Sequence, residues 1–172
     1  MKNDSRKLRA ARDEKRRKSD DQAADGKRLT YAEALLLEEV LAAPPRAGRV
    51  LVAGNRSGVV VAEATRAWPE ATVCAHAFDA HHARAIRDHL AGCGLGSEHV
   101  LCTPQVGEGY ASALFMTTPR SMPAELVLDQ LQDIYLSLAE GGSLLAAFEG
   151  DPDAALKTMR LVWPTVHVVR RA

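Results

Sequence analysis

Gly54 and Gly58 bracket a short turn, Gly54-Asn55-Arg56-Ser57-Gly58, that joins an apolar run from Arg49 to Ala53 to the sequence Val59-Val-Val-Ala-Glu-Ala. An apolar strand that passes through glycines straight into a helix is how an α/β protein builds a site for a nucleotide-type cofactor. Glycine lets the backbone approach a ligand with no Cβ in the way, and the start of the helix offers unpaired N–H groups. Asn55 and Ser57 would add side-chain polar groups to the same loop. Arg56 takes the centre of the turn, where a further glycine is expected, and Val52 takes the strand position where a carboxylate often stands.

Three other groups of residues have chemical potential. Asp79 follows the run Thr72-Val-Cys-Ala-His-Ala-Phe and opens a helical stretch, so it is placed either to meet a ligand or to cap that helix. Thr117, Thr118 and Pro119 close the apolar run 112–116. His81, His82 and His89 share one predicted helix, but no carboxylate is placed to complete a metal site, and they are read as solvated surface groups. Cys74, Cys93 and Cys102 lack the paired short spacing of a structural zinc site and suit a reducing compartment. No metal is expected.

These residues need a scaffold, and the chain supplies one with an arm attached. Residues 1–28 hold 11 Lys/Arg and 6 Asp/Glu, a balance of +5, whereas residues 29–172 hold 11 and 16, a balance of −5. Leu8 is the only large aliphatic side chain after Met1 in the arm, which therefore has no face to bury and is expected to be disordered or transiently helical. A basic arm on an acidic domain favours a polyanionic partner such as RNA. No apolar run follows the basic residues as in a secretory signal, and no 18-residue apolar segment is present, so a cytoplasmic protein without a membrane partner is expected.

From residue 29 the chain alternates. Thr30-Tyr31-Ala32-Glu33 has the spacing of a capping box and opens a helix to about Leu41, ended by Pro44 and Pro45. Strands are predicted at 49–53, 71–77, 98–103, 112–116, 143–148 and 165–170, with helices at 57–67, 80–92, 123–139 and 152–162. Leu126, Leu128, Leu131, Ile134, Tyr135 and Leu138 show the helical spacing best. Alternation with short connections implies an α/β domain, a doubly wound, mostly parallel sheet in a three-layer sandwich. The connection from Thr103 to Tyr110 is too short for a crossover helix, so a brief helical turn hides there, or the third strand starts earlier or pairs differently. Ligands bind such sheets at the carboxyl ends of the strands where strand order reverses. That places the rim at 53–58, 76–80, 103–109 and 117–121.

The order of a helix, Arg-Val-Leu-Val-Ala-Gly, Thr-Val-Cys-Ala-His-Ala-Phe-Asp, Ser-Ala-Leu-Phe-Met-Thr-Thr-Pro and Leu-Ala-Glu-Gly-Gly-Ser-Leu-Leu-Ala resembles the class I S-adenosylmethionine-dependent methyltransferases, which are Rossmann-like. It is most similar to the methyltransferase small domain group, which includes ribosomal RNA guanine-N2 methyltransferases, and the likeness covers about residues 28–170. The resemblance implies S-adenosylmethionine as cofactor, with Gly54, Asn55, Ser57 and Gly58 at its methionine end and Asp79 toward the ribose. The family's ribose-binding acid falls on His76 or Ala77 here, and Asp79 is the nearby substitute. Its Asn-Pro-Pro-aromatic motif, which meets the target amine, falls on Thr117, Thr118, Pro119 and Arg120 or on the register one later. The family also continues into a last antiparallel strand that this chain is expected to lack.

The expected function is a divergent S-adenosylmethionine-dependent methyltransferase acting on RNA, ribosomal RNA in particular. The alternative is a catalytically inactive relative that keeps the fold as an RNA- or protein-binding module. Val52, Arg56 and Ala77 favour the alternative, while the outer glycines favour the enzyme. A flavodoxin-like or dehydrogenase-type nucleotide-binding protein fits less well, because the glycine spacing matches no dinucleotide fingerprint.

Overall fold

In the computed structural model the described residues are 29–43, 47–54, 56–117 and 123–169; the basic arm lies outside them. The chain forms α1 (Tyr31–Ala42), β1 (Gly48–Ala53), α2 (Val59–Ala67), β2 (Ala71–His76), α3 (Ala80–Gly92), β3 (Val100–Leu101), β4 (Tyr110–Thr117), α4 (Ala124–Ser137), β5 (Leu138–Phe148) and α5 (Pro152–Arg160). The five strands make one sheet in the order β3-β2-β1-β4-β5, and every pair is parallel. The α/β doubly wound architecture is therefore present, with strand order reversing between β1 and β4.

Local chemistry explains where the elements begin. The capping box of α1 is complete: Thr30 Oγ1 accepts from the Glu33 N–H at 3.1 Å, and Glu33 Oε2 accepts from the Thr30 N–H at 2.8 Å. Asp79 caps α3, and Asp151 followed by Pro152 opens α5. Successive residues of β1 go to opposite cores, which is why its apolar run has no polar alternation. Val50 and Val52 pack with Leu36, Val60 and Ile86 under α1, α2 and α3. Leu51 and Ala53 pack with Phe115, Leu131 and Ile134 under α4.

Several boundaries differ from the sequence expectation. α2 starts at Val59 with Gly58 as its cap, two residues later than predicted. β3 shrinks to two residues, so the predicted strand 98–103 is mostly connection. Residues 102–109 contain no helical turn; they run as an irregular segment over the α4 face, with Val106 packed into that core. Eight residues in extended form reach about 26 Å, enough to return from the top of one parallel strand to the foot of another without a helix. His76 Nε2 holds the segment at Thr103 O (2.8 Å), and the Arg49 guanidinium donates to Glu108 O (2.6 Å).

β5 follows α4 without a loop, so Glu140-Gly141-Gly142 lie inside the strand rather than ahead of it. The predicted sixth strand, 165–170, does not form over the described residues: 163–169 carry no ladder, and Arg170 lies outside the described residues.

Gly54 is the tightest point of the sheet. Its φ is +76°, and a Cβ there would fall 1.9 Å from the Met116 carbonyl oxygen in β4. Gly54→Ala combines a left-handed backbone with a backbone overlap and is expected to cost about 2–4 kcal/mol. The urea midpoint of the folded chain measures this, and an unchanged midpoint would show that the turn does not press on β4.

Candidate functional site

The C-terminal ends of β1, β2 and β4 meet at the reversal of strand order, the place where open α/β sheets bind ligands. Register brings Ala53 level with His76 on one side and Phe115 on the other. The sequence-derived rim residues 54, 76–78 and 117 therefore do gather on one crest.

Gly54 presents a turn with no side chain at the top of β1, and its conformation is fixed by the contact with Met116. Asn55 lies outside the described residues. Arg56 is exposed beside the turn. Ser57 Oγ donates to Glu33 Oε1 at 2.7 Å and accepts the Val59 N–H at 3.3 Å. Gly58 has structural reasons for being glycine, among them a φ of +79°. It is buried, and a Cβ would come within 3.1 Å of His89 Cβ and 3.2 Å of Ile86 Cα, so it lets α3 pack against the start of α2.

Asp79 is occupied as a cap. Its carboxylate accepts the His82 N–H at 2.8 Å and meets His82 Nδ1 at 2.5 Å. The backbone bond from His82, ahead of the ring contact, holds this carboxyl below the usual aspartate range. Its help to α3 is complete above that ordinary range and is lost as pH falls through the lowered value. Ala77, which with His76 is one of the two positions where the resemblance places the ribose-binding acid, is buried and its N–H is given to Leu101 O.

Two polar groups on the crest are buried without partners among the described residues. Thr117 is 8% exposed and its Oγ1 is unpaired. His76 is 2% exposed; with Nε2–H donated to the Thr103 carbonyl, its Nδ1 is a bare acceptor. Phe78 stands edge-on to the His76 ring at 5.1 Å and is half exposed. Thr118, Pro119 and Arg120 lie outside the described residues.

Sequence reasoning missed two carboxylates. Glu33 was read only as a capping residue, yet it also reaches the glycine turn through Ser57. Glu149, just past β5, accepts the Ala32 N–H at 3.1 Å and gives its own N–H to Thr117 O at 3.2 Å. The capping-box spacing was the only signal for Glu33, and nothing local signals Glu149. The predicted surface histidines have local partners: His82 at Asp79, and His89 Nε2 at Cys93 Sγ, 3.7 Å away. Among the described residues no group of three His, Cys, Asp or Glu could hold a metal ion, and no helix is long and apolar enough to cross a membrane.

No protein-family model and no curated protein matches the chain. Solved structures do, among them many methyltransferases. TrmN from Thermus thermophilus is 20% identical, with a TM-score of 0.58 over 77% of this chain and 40% of its own. The ribosomal protein L11 methylase from Lactobacillus delbrueckii subsp. bulgaricus is 18% identical, with a TM-score of 0.57 over 74% and 63%. The mitomycin 7-O-methyltransferase MmcR is 17% identical, with a TM-score of 0.55 over 75% and 42%. The chain thus has the Rossmann-like methyltransferase fold, and it spans about two-fifths to two-thirds of the length of these structures.

Glu33 is 2% exposed and serves two donors from separate segments. Glu33→Ala leaves the Thr30 N–H and the Ser57 hydroxyl without their acceptor and is expected to lower stability by about 1–3 kcal/mol. Glu33→Gln, which keeps one carbonyl oxygen, loses less. Chemical unfolding of both variants checks the order, and equal midpoints for all three chains would show that the carboxylate carries no structural load.

Proposed function

We propose that the chain is a divergent class I methyltransferase that takes S-adenosylmethionine at the crest of β1, β2 and β4 and acts on RNA, in the ribosomal RNA group that its sequence resembles. The observation that carries this reading is the turn at Gly54, which is free of side chain and pressed against Met116 at the reversal of strand order. Such a turn suits the methionine end of the donor, with Ser57 and Asn55 beside it.

The ribose end fits less fully. Ala77 provides no carboxylate, and Asp79 is engaged by His82, so His76 Nδ1 is the remaining acceptor on β2. A carboxylate accepts from both ribose hydroxyls, while a neutral imidazole accepts from one. When bound, the donor supplies a methyl group on a strongly electrophilic sulfonium, so the protein's task is alignment rather than acid–base chemistry. Thr117 to Pro119 would face the acceptor, where the unpaired Thr117 Oγ1 can hold a polar group. Exposed Arg56 would disfavour the sulfonium and suits a nearby phosphate instead.

The second reading, an inactive relative serving as a binding module, is favoured by that engaged Asp79 together with Ala77. Calorimetric titration with S-adenosylmethionine and S-adenosylhomocysteine separates the two. Binding weaker than about 1 μM is expected for the natural chain, and Arg56→Gly with Ala77→Asp should tighten it about tenfold, equivalent to about 1.4 kcal/mol. Submicromolar binding by the natural chain would refute the weakened ribose anchor, and no binding by either chain would favour the module.

RNA affinity is assigned to the arm, 1–28, because its +5 sits next to a domain of −5 that repels phosphates on average. Anisotropy titrations should show binding that falls steeply between low and moderate salt, with little sequence preference, and that vanishes when residues 1–28 are removed. A truncated chain that holds a defined RNA as tightly as the full one would instead place recognition on the Thr117 rim.

A further inference from the structure

Gln130 in α4 is 4% exposed, and neither the nitrogen nor the oxygen of its carboxamide has a partner among the described residues. A carboxamide carries two donors and an acceptor, and burying them unpaired opposes folding. The surroundings do not ask for a polar group. Gln130 shares its helix face with Val127, Leu131 and Ile134, which belong to the cluster of Leu51, Ala53 and Phe115. Methionine would fill the same volume at no polar cost.

Thr117 is a second buried group of this kind, and it lies on the same side of the sheet. Phe115 belongs to the cluster under α4, so Thr117, two residues further along β4, points to that face as well. Its carbonyl is taken by the Glu149 N–H, whereas its hydroxyl is unpaired. α4 joins two parallel strands, β4 and β5, and therefore starts at the crest and runs away from it. Gln130 is in the second turn of α4, and helical side chains lean toward the helix N-terminus, which here is the crest. The hydroxyl and the carboxamide thus both belong to the side of the crest where the acceptor is placed.

We propose that Gln130 selects the acceptor: its carboxamide, together with the Thr117 hydroxyl, holds the edge of a nucleobase on which a hydrogen-bond donor stands next to an acceptor. This deepens the methyltransferase reading and rests on it. A carboxamide sets a donor beside an acceptor and meets such an edge with two parallel bonds. A threonine hydroxyl cannot offer that pair, so the amide missing at the end of β4 comes from the helix that follows. A base stacked inside a duplex cannot reach a group buried this deeply, so the base is that of a free nucleoside or one turned out of an RNA strand.

The full chain tests this with adenosine, cytidine, guanosine, uridine and a short unpaired RNA as probes. In nuclear magnetic resonance spectra, the side-chain NH2 pair that disappears in Gln130→Met should move when one of the nucleosides is added. A matching shift with the RNA identifies the strand as the source of the base, and a shift with the nucleoside alone identifies the free nucleoside. Gln130→Met should melt no lower than the natural chain and bind that nucleoside about tenfold more weakly. A lower melting point would show that the amide serves the fold, and overturns the proposal. So does an NH2 pair that no probe moves, or an affinity that Gln130→Met leaves unchanged. S-adenosylhomocysteine separates this inference from the donor reading: a chain that binds it while no probe moves Gln130 loses this inference alone. A chain whose Gln130 responds to a nucleoside but that binds no S-adenosylhomocysteine keeps the base subsite and loses the donor.

Discussion

The carboxylate of Glu33, almost entirely withdrawn from water, ties together parts of the chain that are otherwise independent. An unpaired buried carboxylate costs several kcal/mol, so its burial is tolerable only while its oxygens accept hydrogen bonds. One donor is the Thr30 N–H at the start of α1, and the other is the Ser57 hydroxyl in the glycine turn. The first turn of α1 and the loop after β1 must therefore form together. Glu149 extends the tie: it accepts the Ala32 N–H from the end of β5, and its own N–H reaches Thr117 at the end of β4. Through these two acids α1 is fixed over the crest of β1, β4 and β5.

This arrangement changes the meaning of the substitutions at the glycine turn. Val52 leaves the end of β1 without an acid, and its side chain is fully buried in the core beneath α1, α2 and α3. A carboxylate nonetheless reaches the turn, from α1 instead of from the strand, through Ser57. The turn after β1 is thus tied to an acid that comes from another element. At the end of β2, Ala77 is buried, and Asp79 caps α3 with its side chain half exposed. The two sides of the crest therefore differ: a buried acid is tied to the turn after β1, and a half-exposed one stands at the start of α3.

Much of the framework was legible because it follows from short-range rules. The capping box at Thr30, the cap at Asp79 and the bounds of α3 could be read from a few adjacent residues. Strands β1, β2 and β4 could be read from apolar runs covered on both faces. What failed to show were features that depend on partners far away in sequence. The third strand has two residues because its pairing is limited to Ala75 and His76 of β2, and the segment 165–169, strand-like by composition, enters no ladder. Gly58 shows both ranges: its φ of +79° is a local demand for glycine, whereas its contact with α3 comes from some 30 residues on. Glu149 carries no local pattern at all, and only the closure of β5 against α1 brings it to the site.

The two edges of the sheet are handled in opposite ways. At β3 the edge is two residues long, and the Arg87 guanidinium donates to Val100 O at 2.9 Å, so little backbone is left to recruit another strand. At β5 the edge is five times longer, with glycines and small apolar residues and one carboxylate, Glu140. A parallel sheet is normally covered on both faces, and here both faces are; the exposure lies in the plane of the sheet, at one side only. The two edges thus differ in length and in chemistry, and that difference belongs to the sheet independently of the chemistry at its crest.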